Sequence, residues 1–515
     1  MQQFGRVTMR LSFQLVLVFA TVASTLLLVT RAAAAQEGLA TPPAASPLLP
    51  PDHWAVLAAR RAEALGLLDS YLPAQRAVPR LVVGAALRDA SERAAGRSRE
   101  LHELLLSWQE RFREEFPEAA MLLAGDEPSG PLRGSSAYAG YANHLGRDAP
   151  GLGEHPPTVT GASPLPDLSG ALAGASLAVA AGRRLALLVE PQLGPERVTL
   201  AGADLVSLWG PISVSLGRQP VGYGYSVGGG VVLSGAVAFD RLQIESTRAL
   251  RLPGTLGGIG PVSFNTFLAR INEERHQGDP FFWGASVTWR PHPRFNLSVN
   301  RATPIGGGLA PEPITAEGLF LSFFGKHVAH LTNQVVAAEF RYRLPTERLV
   351  PLTAYLEWGA EDSAGAFYNV PGQIFGLYLP ALPAVPQVAA GVEYARFAPS
   401  CCGNPTWYRH VAHDGNWVLA DRPLAHGLGG HGEEWMLYGQ AALLGARLDL
   451  DGRIVRRERL RENLFVPGRE GRSTGFAGRA TWRLTPRVDA QLLLSRESGS
   501  GWTEQALQTG ARVFF

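Results

Sequence analysis

The densest chemistry in the chain lies between Pro405 and Trp435, PTWYRHVAHDGNWVLADRPLAHGLGGHGEEW. His410, His413, His426 and His431 stand there near Asp414, Asp421 and Glu433. Imidazole beside carboxylate is the material of metal sites and acid–base pairs. The spacing speaks against both: His410 and His413 are three apart, but no helical pattern aligns them, and the set matches no known cage. No metal, cofactor or catalytic residue is expected. The same block carries Trp407, Tyr408, Trp417 and Trp435, whose rings suit the apolar faces of saccharides. Arg409 and Arg422 suit the carboxylates of an acidic polymer. With His410, His426 and His431 as polar contacts, the block reads as a saccharide-binding loop.

A second constellation is GRQPVGYGYSVGGGVVLSG, Gly217 to Gly235. It has no GK[ST] and no following helix, so it is not a phosphate loop. It is either a mobile glycine-rich turn or a loop whose Tyr223 and Tyr225 stack on sugars while Arg218 holds an anionic group. Hydrolytic chemistry finds no support. No carboxylate pair sits in a glycosidase setting, and no GxSxG stands in a nucleophile context. The charged run Arg453 to Arg461, RIVRRERLR, reads as a solvated loop or a lumen-facing segment.

The elements that must position these residues fall into four parts. Residues 1–35 have Arg6 and Arg10, an apolar run from Leu11 to Thr30, and small residues up to Ala35. That pattern predicts a secretory signal peptide cleaved after Ala35. Residues 36–51 form a Pro-rich linker (ATPPAASPLLPP). Residues 52–128 carry helical periodicity. Asp52 is placed to cap a helix through Trp54, Leu57, Arg61 and Leu65; a second runs from about Leu81 to Ala95. A third presents Leu101, Leu104, Leu105, Trp108 and Phe112 on one stripe. A module this small is expected to lean on something larger.

From residue 129 to 515 the period changes to two. Short alternating segments recur between Gly, Pro, Asp and Asn, about 16 to 18 of them. In Leu352 to Asp362, Leu352, Ala354, Leu356, Trp358 and Ala360 oppose Thr353, Tyr355, Glu357, Gly359 and Glu361. In Thr474 to Leu484, Phe476, Gly478, Ala480 and Trp482 oppose Ala477, Arg479, Thr481 and Arg483. The last stretch, WTEQALQTGARVFF, alternates in the same way and stops on Phe515. A soluble sandwich would alternate too. Two observations favour an outer-membrane antiparallel β-barrel: the number of strands without a domain break, and aromatics such as Trp289, Trp358 and Trp482 near strand ends. Two long connections, from Arg301 to about Leu331 and from Pro399 to Glu434, contrast with tight turns at Arg290–Arg294 and Thr485–Arg487.

Composition agrees. The charge of +2 gives no basic field for nucleic acid, and basic residues are almost all Arg, with Lys326 an exception. The 58 glycines and 38 prolines supply the turns many strands need. The two cysteines, Cys401 and Cys402, are adjacent, which excludes a disulfide scaffold and leaves a vicinal bridge open.

With these residues in view, the chain resembles the outer-membrane capsule assembly Wzi family. The likeness rests on the Gly217–Gly235 segment and on the WYRH…RPLAHGLGGHGEEW block from Trp407 to Trp435. The N-terminal helices, with their LGLL turn, resemble that family's periplasmic part and also a single S-layer-homology module. The resemblance implies an 18-stranded barrel plugged by loops and backed by helices, with the role of holding capsular polysaccharide at the cell surface as a lectin. The expected partners are that or another surface polysaccharide, outer-membrane lipid, and the barrel assembly machinery acting on the strand that ends at Phe515. A monomer is expected. The competing expectation is a porin for sugars or other small solutes, tethered to the cell wall by its helices.

Overall fold

A computed structural model describes residues 44–125, 131–145, 169–194, 198–252, 254–272, 280–306, 334–347, 349–361, 371–398, 407–409, 416–419, 422–466 and 468–515. Signal-peptide residues 1–35 lie outside this set, as do most of the Pro-rich segment and Cys401 and Cys402.

Eighteen antiparallel strands close into one barrel. In chain order they are β1 (Leu132–Leu145), β2 (Gly170–Ala181), β3 (Leu185–Leu193), β4 (Val198–Trp209), β5 (Ile212–Gly222) and β6 (Ser234–Ser246). Then come β7 (Val262–Arg270), β8 (Phe281–His292), β9 (Phe295–Ile305), β10 (Val335–Arg343), β11 (Thr353–Glu361) and β12 (Gly372–Leu379). The last six are β13 (Val388–Phe397), β14 (Gly432–Leu443), β15 (Leu448–Arg459), β16 (Gly471–Thr485), β17 (Val488–Gly499) and β18 (Trp502–Phe514). Each strand pairs with its neighbour in sequence, and β18 returns to β1 through the register Phe514↔Ser136 to Gln505↔Leu145. Closure leaves no edge of unpaired backbone groups, the condition for strands in lipid.

Side-chain sidedness decides what kind of barrel this is. The outward set is apolar and exposed: Leu216, Val287, Val299, Ile454, Phe476, Leu492 and Leu494. The inward set is polar and buried: Asp204, Gln243, Asn265, Asn300, Glu357, Glu393, Arg457 and Arg459. A soluble sandwich would bury the first set and wet the second. This inversion is that of a transmembrane barrel. The predicted alternations hold: Trp482 faces out and Arg483 in, Leu356 lies on the outer set and Glu357 on the inner.

Helices α1 (Trp54–Ala64), α2 (Arg80–Ala94), α3 (Arg99–Glu115) and α4 (Pro117–Ala124) gather at the barrel end that carries the tight turns. The fourth was not anticipated; Pro117 opens it, since proline suits a first helical position. Small residues on α1 (Ala55, Ala58, Ala59, Ala62) let it pack closely within the helical cluster. His53, not Asp52, caps α1: its side chain accepts from the Ala55 N–H. Asp52 instead pairs with Arg479 of β16 at 3.1 Å. The described end of the Pro-rich segment, residues 44–50, is buried, and Leu48–Leu49 pairs with Val78–Pro79.

The helices are fastened to the barrel by charge. Glu63 accepts from Arg290 at 2.7 Å and from Arg341 at 2.8 Å. Arg61 caps backbone carbonyls of Pro380, Pro386 and Gln387 in the β12–β13 turn. Arg111 pairs with Asp449, donates to the Ala446 carbonyl at 3.2 Å, and lies over the Trp54 ring at 4.2 Å. The leaning expected of a small module is therefore a buried ionic interface with the barrel.

Candidate functional site

The glycine-rich segment between β5 and β6 turns into the lumen, where its backbone N–H groups need acceptors. Two buried glutamates supply them. Glu357 of β11 accepts from the N–H of Tyr225 (3.1 Å), Ser226 (3.3 Å) and Val231 (2.9 Å). Glu393 of β13 accepts from the Val227 and Gly228 N–H at 2.8 and 3.0 Å, the Ser226 hydroxyl at 2.8 Å, and the Tyr355 hydroxyl at 2.6 Å. Gly224 has φ +90°, and a Cβ there would sit 2.2 Å from a Glu357 oxygen. Glycine is what lets the carboxylate reach the backbone.

The second loop locks onto the first. Trp407, Tyr408 and Trp417 are fully buried. The Tyr408 hydroxyl donates to the Val231 carbonyl (2.8 Å) and Trp417 Nε1 to the Val232 carbonyl (3.0 Å). The Tyr408 N–H donates to Glu361 at 2.7 Å. A third loop joins them: Asn463 Nδ2 donates to the carbonyls of Leu428 (2.8 Å) and Gly430 (2.9 Å), and Arg409 donates to the Asn463 carbonyl (2.7 Å). Three connections thus form one plug with an apolar core.

His426 is fully buried between Glu393 (3.7 Å) and Glu434 (3.9 Å). The three side chains are spaced as metal ligands are. Their lone pairs are committed elsewhere. Both Glu393 oxygens already accept two donors, and Glu434 takes Arg457. The Leu428 N–H donates to His426 Nδ1 (3.2 Å), which leaves the ring proton on Nε2, aimed at the carboxylates. The donor set fits a cross-loop latch better than a cation. Gly224–Gly228 reads GYSVG, the spacing of a nucleophile elbow, but the Ser226 hydroxyl donates to a glutamate, and no helix follows.

Between the plug and the helices lies a cavity of about 240 Å³. Tyr225, Tyr378, Tyr438 and Phe465 give it aromatic walls; Arg60, Arg76, Arg422, Arg453 and Arg479 give it positive charge, set against Asp52 and Asp451. Tyr378 and Tyr438 stack at 6.0 Å, and the guanidinium groups of Arg60 and Arg341 each lie 4.4 Å from the Tyr225 ring centre. Arg76 reaches in from the helical module, and its Nε and NH1 have no hydrogen-bond partner. Burial, with the Arg60 charge adding, pushes Arg76 down to about 10, against the pull of Glu357, Glu393 and Glu339. Arginine forks beside aromatic faces can hold an acidic saccharide.

The predicted site residues therefore divide. Tyr225 and Arg422 line the cavity. Tyr223, Trp407, Tyr408, Trp417, His426 and His431 are buried in the plug, and Arg409 ties two of its loops. Arg218 faces outward, paired with Asp240 at 3.0 Å. Trp435 is 55% exposed on the outer wall, 4.7 Å from Tyr394. His410, with His413, Asp414 and Asp421, lies outside the described residues. Arg60, Arg76, Tyr378, Tyr438 and Phe465 were missed. They share no motif in sequence, and only folding collects them; the inward arginines of the Arg453–Arg459 run, of which Arg453 lines the cavity, were the one legible signal.

A family model described as capsule assembly protein Wzi matches residues 170–509, which spans the twelve strands β2 to β13 before the plug block and reaches into the last of the five after it. The chain belongs to the Wzi capsule assembly family. Among solved structures it is similar to Wzi of Escherichia coli, described as an outer-membrane protein involved in group 1 capsule assembly and a carbohydrate-binding β-barrel. The two share 14% identity over 91% of this chain and 99% of that one, with a TM-score of 0.67, which shows the fold. Pseudomonas aeruginosa OpdL (11% identity, 75% of this chain, 98% of that chain, TM-score 0.42) and OccD3 (9%, 76%, 92%, 0.46) also match. No curated protein sequence matches.

Proposed function

We propose that this Wzi-family barrel sits in the outer membrane with its helices in the periplasm, binds an exported polysaccharide, and helps attach or assemble it at the cell surface without catalysing a reaction. The observation that carries the reading is the plug. Three loops fill the lumen and are pinned by Glu357 and Glu393, so the described lumen is built to hold, not to conduct. The carbohydrate binding stated for the Escherichia coli relative supports the ligand class. The excess of arginine in the cavity supports an acidic polymer, whose repeats would multiply weak contacts by avidity. We also propose that the final strand through Phe515 is the segment engaged by the barrel assembly machinery, and that the protein acts as a monomer.

The test is polymer pull-down with the purified barrel, against an acidic and a neutral capsular polysaccharide. Wild type is expected to retain the acidic polymer, and Arg76→Ala combined with Arg422→Ala to lose at least about a hundredfold of that retention, two charged contacts at ~1.5 kcal/mol each. Equal retention by wild type and the double variant would remove the cavity from the proposal. No retention of either polymer, with a steady open channel in planar bilayers, would replace the reading with a porin.

A further inference from the structure

Neighbouring strands β15, β16 and β17 carry a feature on their outer wall that the lumen does not use. Their outward residues are apolar up to Ile454, Phe476 and Leu494, which are 62%, 43% and 46% exposed. The next outward positions on β15 and β17 are Arg456 and Arg496, both exposed, with Thr474 between them on β16. In register the two are one outward step apart: Ile454 opposes Phe476 and Phe476 opposes Arg496, whereas Arg456 opposes Thr474. From Leu484 to Phe476 the apolar run of β16 rises roughly 20 Å after allowing for strand tilt, close to the height of a barrel's lipid belt. The arginines therefore begin where the belt ends, on the side of the long connections, at headgroup depth.

Their charge is uncompensated. Three other outward arginines toward that rim have acidic partners: Arg472 with Glu458 at 3.2 Å, Arg396 with Glu433 at 3.4 Å, Arg218 with Asp240 at 3.0 Å. Arg456 and Arg496 have no ion pair or hydrogen bond among the described residues. One strand separates them, which places their backbones on the order of 10 Å apart. Trp435, the cross-strand partner of Arg456, adds an exposed ring beside them.

We infer that this patch binds a phosphorylated glycolipid of the outer leaflet. Two phosphates on one sugar headgroup would meet Arg456 and Arg496, Trp435 would lie against the sugar, and the acyl chains would run down over Ile454, Phe476 and Leu494. Guanidinium forks at the headgroup level supply the charge complement that the protein itself withholds. The inference uses the outer-membrane placement proposed above and is independent of the polysaccharide reading.

The test uses the full-length mature barrel in detergent, incubated with bisphosphorylated lipid A, dephosphorylated lipid A or phosphatidylglycerol, with bound lipid counted by native mass spectrometry. Wild type is expected to retain bisphosphorylated lipid A at least tenfold better than the other two. Arg456→Gln with Arg496→Gln is expected to remove that preference, and Arg456→Lys with Arg496→Lys to keep most of it. Both positions are exposed and make no hydrogen bond or ion pair among the described residues, so heat-modifiable gel mobility and polymer retention stay at wild-type values. Equal retention of dephosphorylated lipid A or phosphatidylglycerol by wild type, or undiminished preference in the Gln variant, overturns the inference.

Discussion

Replacing Glu393 by alanine is the perturbation that most directly probes the plug. The side chain is 1% exposed and accepts four hydrogen bonds, from the N–H groups of Val227 and Gly228 and the hydroxyls of Ser226 and Tyr355, all between 2.6 and 3.0 Å. A hydrogen bond to a charged acceptor contributes ~1.5–3 kcal/mol, and a buried donor left unmade costs ~1–3 kcal/mol. Three of the four donors belong to the plug loop. Tyr355 stays on its own strand, β11. The loop's docking should therefore weaken by roughly 3–9 kcal/mol, since three donors lose their acceptor at once. Even the lower figure raises the undocked population more than a hundredfold, at tenfold per 1.4 kcal/mol. Glu357 still holds Tyr225, Ser226 and Val231, so the variant should gate rather than stand open. Single-channel recording in planar bilayers is the assay: wild type silent, Glu393→Ala flickering, and Glu393→Ala with Glu357→Ala conducting steadily. Glu393→Gln, which keeps one acceptor oxygen, should fall between wild type and Glu393→Ala. If both alanine variants keep heat-modifiable mobility and β-rich circular dichroism yet remain silent, the two glutamates do not hold the plug.

Two further predictions concern the helical module. Arg111→Ala removes the cation that Asp449 and Asp489 share at α3 and leaves the buried Asp489 with Arg483, at 3.9 Å; losing one member of such a buried group costs ~3–5 kcal/mol, and limited proteolysis should release the helices at least a hundredfold faster while the barrel persists. Glu115 is opposed by burial, yet His53, Arg111 and the Trp54 indole hold its carboxyl down at about 2. A carboxyl depressed below its unfolded value stabilises at pH above about 4.5 and loses that contribution as pH falls toward about 2. Trp54 fluorescence should thus show an acid transition as pH falls from about 4.5 toward about 2; Glu115→Gln should lack that transition and be less stable at pH 7.

Much of the fold was legible because alternation is a local property. Leu356 beside Glu357, or Trp482 beside Arg483, announces a two-faced strand without any knowledge of its neighbours. The helical stripe of Leu104, Leu105, Trp108 and Phe112 is equally local, and all four are buried. Cap identity was not: Asp52 and His53 both suit the position, and Arg479, 427 residues away, takes Asp52.

What the chain's own residues determined, then, is a many-stranded barrel with a greasy outside, a small helical companion, and two loops of unusual composition. The tertiary structure alone decided what those loops do. Trp407, Tyr408 and Trp417 have the composition of a sugar platform, but their rings pack against Phe397 and Phe282, and the Tyr408 hydroxyl and Trp417 indole N–H are spent on the carbonyls of Val231 and Val232. Arg76, Tyr378 and Tyr438 have no shared motif, but closure of the cylinder brings them to one cavity. The physical reason is range: periodicity is written within a few residues, whereas burial and the identity of a partner depend on contacts between segments hundreds of residues apart.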